Sequence, residues 1–207
     1  MLKIWGRPDS SNVQKVLWCC DELGLAYERV DLGGAFGGND AASYRALNPN
    51  GLVPTIEDGD FVLWESNSIV RYLVDRYDAR GLLNPSTAEG RGNASRWMDW
   101  QLTTISRCMF PLFQGLYRLP PEKRDPDQIE SARRQAGEVW TILDRHLGSR
   151  RFVDGDRFSL GDIPPGVWIH RWLNMPIERP GLPHLRAWYA RLGERPPYRT
   201  HVMIPLG

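Results

Sequence analysis

Three short segments carry the residues of this chain whose types and spacing could do chemistry: Asp9-Ser-Ser-Asn12, Val53-Pro54 and Glu65-Ser66. The first lies between an alternating apolar stretch, Leu2-Lys-Ile-Trp5, and a run with helical spacing, so it is a strand-to-helix turn. Such turns, at the carboxyl ends of strands in open sheets, are where ligands bind. A dithiol reductase would need Cys-x-x-Cys there, so Asp9-Ser-Ser-Asn12 excludes dithiol exchange at that position. Ser10, Ser11 and Asn12 stand where the helix begins. They either cap it, or offer hydroxyls and an amide to an anion at the positive end of the helix dipole.

Pro54 opens a stretch that reads as a paired strand, where a missing N–H is tolerated at an edge or through unusual geometry. A cis Val53-Pro54 bond is predicted. It would turn the Val53 backbone outward, able to exchange paired hydrogen bonds with a short extended peptide; the alternative is a tight turn without a ligand. Glu65-Ser66 stands at the mouth of a further helix, where the amides and the Ser66 hydroxyl can receive a carboxylate and Glu65 can pair with an ammonium. Its alternative is a plain cap preceded by an exposed acid. Ser159-Leu-Gly-Asp162 has capping-box spacing and reads as structural. Cys19 and Cys20 read as packing residues, and His146, His170, His184 and His201 have no metal-ligand spacing, so no metal is implied.

The elements that must position these segments follow from the rest of the 207 residues. The chain carries 26 basic and 25 acidic side chains and 42% hydrophobic residues, an ordinary globular composition that excludes collagen, coiled coil and long disorder. No apolar run approaches a bilayer span and the start has no signal-peptide region, which predicts a cytoplasmic protein off the membrane. Three cysteines, two of them adjacent, build no disulfide framework and fit a reducing compartment. Residues 1–80 carry 8 basic and 12 acidic side chains, and residues 81–207 carry 18 and 13. The arginines of the second region are scattered at helical spacing without a run of like charge, so they read as solvated helix faces rather than a nucleic-acid site.

The first region gives a strand at residues 2–5, a helix stopped by Gly24, a strand at 27–32, a glycine-rich stretch and a short helix near 41–46. Two extended runs, 53–57 and 61–64, join across Asp58-Gly59, and a helix capped by Ser66 or Asn67 follows. The order βαβ then ββα predicts an α/β thioredoxin-like domain with a mixed four-stranded sheet over residues 1–80. Residues 81–90 read as a linker and 91–207 as an all-α helical domain. In that domain a long helix is kinked at Pro111, and another has Asp125 as its cap and stops at Gly148.

Nearly the whole chain resembles the cytosolic glutathione transferase family, its bacterial theta- and delta-like members in particular. Trp5-Gly-Arg-Pro-Asp-Ser-Ser-Asn-Val-Gln-Lys-Val16 looks like the first-strand and first-helix segment. Asn48-Pro-Asn-Gly-Leu-Val-Pro54 is similar to N-P-x-G-x-V-P, and Trp64-Glu-Ser-Asn-Ser-Ile-Val-Arg-Tyr-Leu73 to E-S-x-A-I-x-x-Y-L. Phe158-Ser-Leu-Gly-Asp-Ile163 matches the second-domain S-x-A-D segment with Gly161 in place of alanine, and Pro164-Pro165 departs from the usual pattern. The resemblance implies glutathione as co-substrate, bound at Val53, Pro54, Glu65 and Ser66, with Asn39 or Arg45 open for its glycine carboxylate. It implies that the turn stabilises the glutathione thiolate, with Ser10 first, Asn12 next and Ser11 third.

The implied second substrate is a small apolar electrophile, for which Trp100, Thr104, Cys108, Met109 and Trp172 are the candidates, each with an equal reading as core. A detoxifying homodimer is the implied assembly. A glutathione-dependent disulfide reductase using the same site, and a non-catalytic docking module of the same fold, are the rival readings.

Overall fold

The computed structural model describes residues 1–206. Strand β1 (Leu2–Trp5) alternates its side chains, with Leu2 and Ile4 buried and Lys3 and Trp5 on the opposite face. Helix α1 (Ser11–Leu23) follows and is stopped by Gly24 in the left-handed conformation, φ 69°. Strand β2 (Tyr27–Val30) returns parallel to β1, with Leu2 opposite Tyr27. After helix α2 (Ala42–Leu47), strands β3 (Thr55–Asp58) and β4 (Phe61–Trp64) form the hairpin expected across Asp58-Gly59. The sheet order is β2-β1-β3-β4, with β1 and β3 antiparallel. Helix α3 (Ser66–Tyr77) completes the mixed four-stranded unit and packs beside α1.

From Asp78 the chain is helical. The Asp78 carboxylate accepts the amides of Leu82, Leu83 and Asn84, which fixes the connection to α4 (Ala88–Trp100), so the helix begins within the expected linker. The long helix expected next is interrupted rather than simply bent. Two π-helical turns, Gln101–Ile105 and Gln114–Arg118, flank α5 (Ser106–Phe113), which contains Pro111. Helix α6 (Pro126–Leu147) starts at the Asp125 side chain, which accepts the amides of Asp127 and Gln128 at 3.0 and 3.1 Å. The last helices are α7 (Ile163–Asn174), α8 (Pro183–Gly193) and α9 (Pro196–His201). Pro164 and Pro165 fall in the first turn of α7, where no amide has an intrahelical partner to lose.

Helix α1 is buried all round because both halves of the protein pack on it. Val13, Val16, Leu17, Trp18, Cys19 and Cys20 are all inaccessible. Trp18 lies against Phe158 and Tyr198, and its indole donates to Glu22, which also takes both donors of Arg195 at 2.6 and 2.7 Å. The start of α1 is thereby held between the sheet and the helical half, where the site must form.

Candidate functional site

A cleft of about 380 Å³ opens at the amino end of α1, between the sheet side and the helical side. Arg7, Asp9, Ser10, Ser11, Asn12, Gly33, Gly34, Asn39, Leu52 and Val53 form one wall, and Phe110, Phe113, Gln114, Arg118, Trp168 and Arg171 the other. Ser10 occupies the cap position of α1 with an extended backbone, φ −74° and ψ 122°. Its carbonyl accepts the Gln14 amide, but its side chain caps nothing. The hydroxyl is left for whatever enters the cleft. Ser11 begins the helix beside it.

Val53-Pro54 is cis, as the sequence predicts. The loop before it is braced by Asn48, whose amide donates to the Leu52 carbonyl at 2.8 Å and to Thr55 Oγ1 at 3.2 Å, and whose oxygen accepts from Asn50. Tyr44 adds a second donor to the Leu52 carbonyl, 2.6 Å away. Among the described residues nothing bonds to the backbone N–H or carbonyl of Val53, so the loop holds an unpaired peptide edge along the cleft wall. Asn39, an expected carboxylate donor, instead gives its amide to the Gly51 carbonyl at 2.8 Å. Arg45 is engaged by Asp40 and the Pro49 carbonyl. Both tie the neighbouring loops together.

Glu65, rather than Ser66 or Asn67, holds the cap position of α3, in the left-handed region at φ 74°. A non-glycine residue there is strained, and such residues gather at ligand sites. Ser66 and Asn67 are instead turned inward onto Lys15, a wholly buried cation of α1. Lys15 Nζ donates to Gln101 Oε1 at 2.7 Å, Asn67 Oδ1 at 3.1 Å and Ser66 Oγ at 3.3 Å. The Ser66 hydroxyl in turn donates to Asn12 Oδ1 at 3.2 Å. This occupies the oxygen of the Asn12 amide and leaves its N–H groups without a protein partner among the described residues. Burial pushes the Lys15 ammonium down to about 7, against the pull of Glu65. One network therefore ties the Glu65-Ser66 corner to the turn at Ser10–Asn12 and, through Gln101, to the helical half.

Residues 5–81 match the glutathione S-transferase N-terminal domain model and residues 126–191 the C-terminal domain model. The chain is 41% identical to glutathione S-transferase GstB of Escherichia coli K12 over all of both chains. It is 32% identical to glutathione S-transferase 3 of Zea mays over 99% of this chain and 95% of that one. The crystal structure of the theta class glutathione S-transferase from Xanthomonas axonopodis pv. citri with glutathione bound superposes with a TM-score of 0.95 at 50% identity, covering 100% of this chain and 99% of that one. The chain belongs to the glutathione S-transferase family.

In this glutathione S-transferase family member, the five residues expected to face a second substrate do not line the cleft. Met109 is buried and accepts the Trp140 indole N–H at 3.4 Å, Cys108 bonds back to the carbonyls of Thr104 and Ile105, and Trp172 is inaccessible. Trp100 stacks edge-on against Trp97. The cleft wall is one helical position further round: Phe110, Phe113, Gln114 and Arg118, with Trp168 one turn before Trp172 and Arg171 the residue next to it. Cys19 and Cys20 are buried, with their thiols pushed up by burial.

The sequence reading missed Lys15 and the three cleft arginines, Arg7, Arg118 and Arg171. The run Val16-Leu17-Trp18-Cys19-Cys20, apolar on every face, was the available signal for Lys15. A helix of that kind is buried all round and takes an embedded lysine with it.

Proposed function

We propose that this chain is a glutathione S-transferase that binds glutathione extended along Val53 and delivers its thiolate to an electrophile in the same cleft. The unpaired Val53 backbone beside an uncommitted Ser10 hydroxyl carries the reading. The cysteinyl backbone of glutathione pairs with Val53 next to Pro54. Its γ-glutamyl carboxylate meets the first amides of α3 at Ser66, and its ammonium meets Glu65. That geometry puts the sulfur at the amino end of α1. A free thiol with a pKa of about 8.5 is only a few per cent ionised at neutral pH, and lowering it by about two units requires about 2.7 kcal/mol of thiolate stabilisation. A hydroxyl donating to a charged acceptor at a helix amino end supplies that amount. Ser10 is the first choice of donor, the free N–H of Asn12 the next, and Ser11 the third. Asn39 remains a bracing contact near the glycine end.

A cytosolic homodimer belongs to the same reading. Its supports are the three free, buried thiols Cys19, Cys20 and Cys108, the opposed charges of the two regions, and the exposed apolar side chains Leu52, Phe61 and Leu102. No helix of the described residues is long and apolar enough to cross a membrane.

Glutathione titration followed by turnover of a chloro-nitroaromatic and of hydroxyethyl disulfide tests the proposal. Binding with chloride displacement is expected. Absence of binding at millimolar glutathione would favour a docking module, and disulfide reduction alone would favour the reductase.

A further inference from the structure

The lining of the cleft around Ser10 is not the wholly apolar one that a neutral electrophile would ask for. Arg7, Arg118 and Arg171 converge on Asp9, the first two on its carboxylate and the third on its backbone carbonyl, and among the described residues these four are the only charged groups lining the cleft. Arg7 Nη1 and Arg118 Nη2 share the same oxygen, Asp9 Oδ2, at 2.7 and 3.0 Å. Among the described residues Arg171 has no carboxylate partner. It donates to the backbone carbonyl of Asp9 at 2.8 Å and lies over the ring of Phe113, 4.3 Å from its centroid, with Trp168 behind it. Counting the described residues, two positive charges are therefore uncompensated in a cleft with aromatic walls.

The placement is built into the fold. Arg7 lies directly under Gly34, where a Cβ would come within 2.7 Å of its Cδ. Arg118 ends the second π-helical turn, so that widened turn aims it across the cleft at Asp9. A buried guanidinium without a counter-ion is costly, and its cost falls when an anion arrives. Burial together with the neighbouring Arg118 and Arg7 pushes Arg171 down to about 10. A strut for the turn would need a single donor to the Asp9 carbonyl. It would need neither a charge on that donor nor two more guanidiniums beside it.

We propose that the electrophile taken by this cleft is an anion: an aromatic or small apolar body bearing a carboxylate, the body against Phe110, Phe113 and Trp168 and the carboxylate between Arg118 and Arg7. This rests on the glutathione transferase reading and narrows it from apolar electrophiles in general. In the step itself the glutathione sulfur bonds to the electrophilic carbon while the carbon–halogen bond breaks. Halide leaves with its electron pair, the thiol proton goes to solvent, and no oxidant is needed. The arginines hold the substrate's remote charge and take no part in bond making, and their field also draws the substrate toward the cleft.

An isosteric pair of electrophiles tests this with the full-length protein. 4-Chloro-3,5-dinitrobenzoate and 4-chloro-3,5-dinitrobenzamide differ by a charge at the end of the ring opposite the chloride. Each kcat/KM is divided by the rate of the same compound with glutathione alone. The ratio for acid over amide is expected to exceed 10, to fall by about tenfold or more in Arg118→Met, and to be partly restored in Arg118→Lys. It should also fall with added salt. A ratio near 1 in the unaltered protein overturns the proposal, and so does a ratio that Arg118→Met leaves unmoved because the guanidinium serves glutathione alone. Turnover of neither compound would instead sink the transferase reading on which the proposal rests.

Discussion

Lys15 of α1 and Gln101 of the first π-helical turn meet at 2.7 Å, Nζ to Oε1, in a region closed to solvent. The contact spans the two halves of the protein. It sits one residue, Ser66, away from the corner proposed to receive the γ-glutamyl group of glutathione, and Gln101 is itself oriented by donating to Ser106 at 2.8 Å. A cation buried among three neutral oxygens is an expensive arrangement, and it makes the geometry of Asn12, Ser66 and Asn67 depend on one ammonium.

The first prediction concerns that ammonium. Its folded-state pKa of about 7 lies below the 10.5 of an exposed lysine, so between these values the unfolded chain holds a proton that the folded chain does not. Stability should therefore rise as pH increases from 7 toward 10, by roughly 3 to 4 kcal/mol from this group. Lys15→Met should be less stable, because Gln101 and Asn67 lose their donor, and should lose most of that rise. Urea midpoints at pH 7 and pH 9 for both proteins measure it. Parallel pH dependences would show that Lys15 stays charged throughout.

The sequence made the scaffold legible where local chemistry and tertiary packing agree. β1 is Leu2–Trp5, Gly24 ends α1, and Asp125 with Pro126 opens α6, because alternation, a left-handed glycine and a capping side chain each act within a few residues. It failed where a side chain had two possible employers. Ser66 and Asn67 have the chemistry of caps, but Lys15 claims both, and the cap position goes to Glu65. Met109 and Phe110 are neighbours about 100° apart on α5, and both are apolar. Periodicity identifies a buried face but does not say whether it faces core or cleft. The arginine cluster joins residues 7, 118 and 171, and no local pattern connects positions that far apart.

Gly161 gives a second prediction. The segment Phe158–Ile163 has glycine where the family pattern has alanine, and a Cβ at this position would stand 2.8 Å from the Ala94 Cα and 3.0 Å from its carbonyl oxygen. Those are backbone atoms of α4 and cannot swing aside. Gly161→Ala should push α4 off the 160–162 turn and cost about 1 to 3 kcal/mol in chemical denaturation. An unchanged midpoint would mean that the turn can slide.

Asp162, one residue on, is the polar centre of the helical half. Its carboxylate accepts the amides of Val153 and Ser159, each at 3.0 Å, and the Trp188 indole N–H at 2.8 Å, and the Ser159 hydroxyl completes the capping box. Burial pushes the carboxyl up to about 7 against these three donors. Asp162→Asn keeps the shape but sets an NH2 group against at least one N–H. It should cost about 2 to 4 kcal/mol while leaving kcat per folded molecule near its original value. A loss of kcat at unchanged stability would move Asp162 from scaffold to site.

The last prediction separates the two donors at the turn. Ser10 and Asn12 both line the cleft and are both proposed donors to the glutathione sulfur, but their commitments differ. The Ser10 hydroxyl has no partner in the cap, whereas the Asn12 amide is oriented by the Ser66 hydroxyl on its oxygen. If Ser10 holds the thiolate, Ser10→Ala should return the pKa of the bound thiol to within about one unit of its solution value near 8.5, read from the pH dependence of thiolate absorbance. Ser66→Ala should then leave that pKa alone while raising the KM for glutathione. If the Asn12 amide holds it, the pattern reverses: Ser10→Ala leaves the pH profile where it was. Asn12→Ala and Ser66→Ala then both shift it upward, the second because an amide released from Ser66 no longer presents its N–H groups to the sulfur.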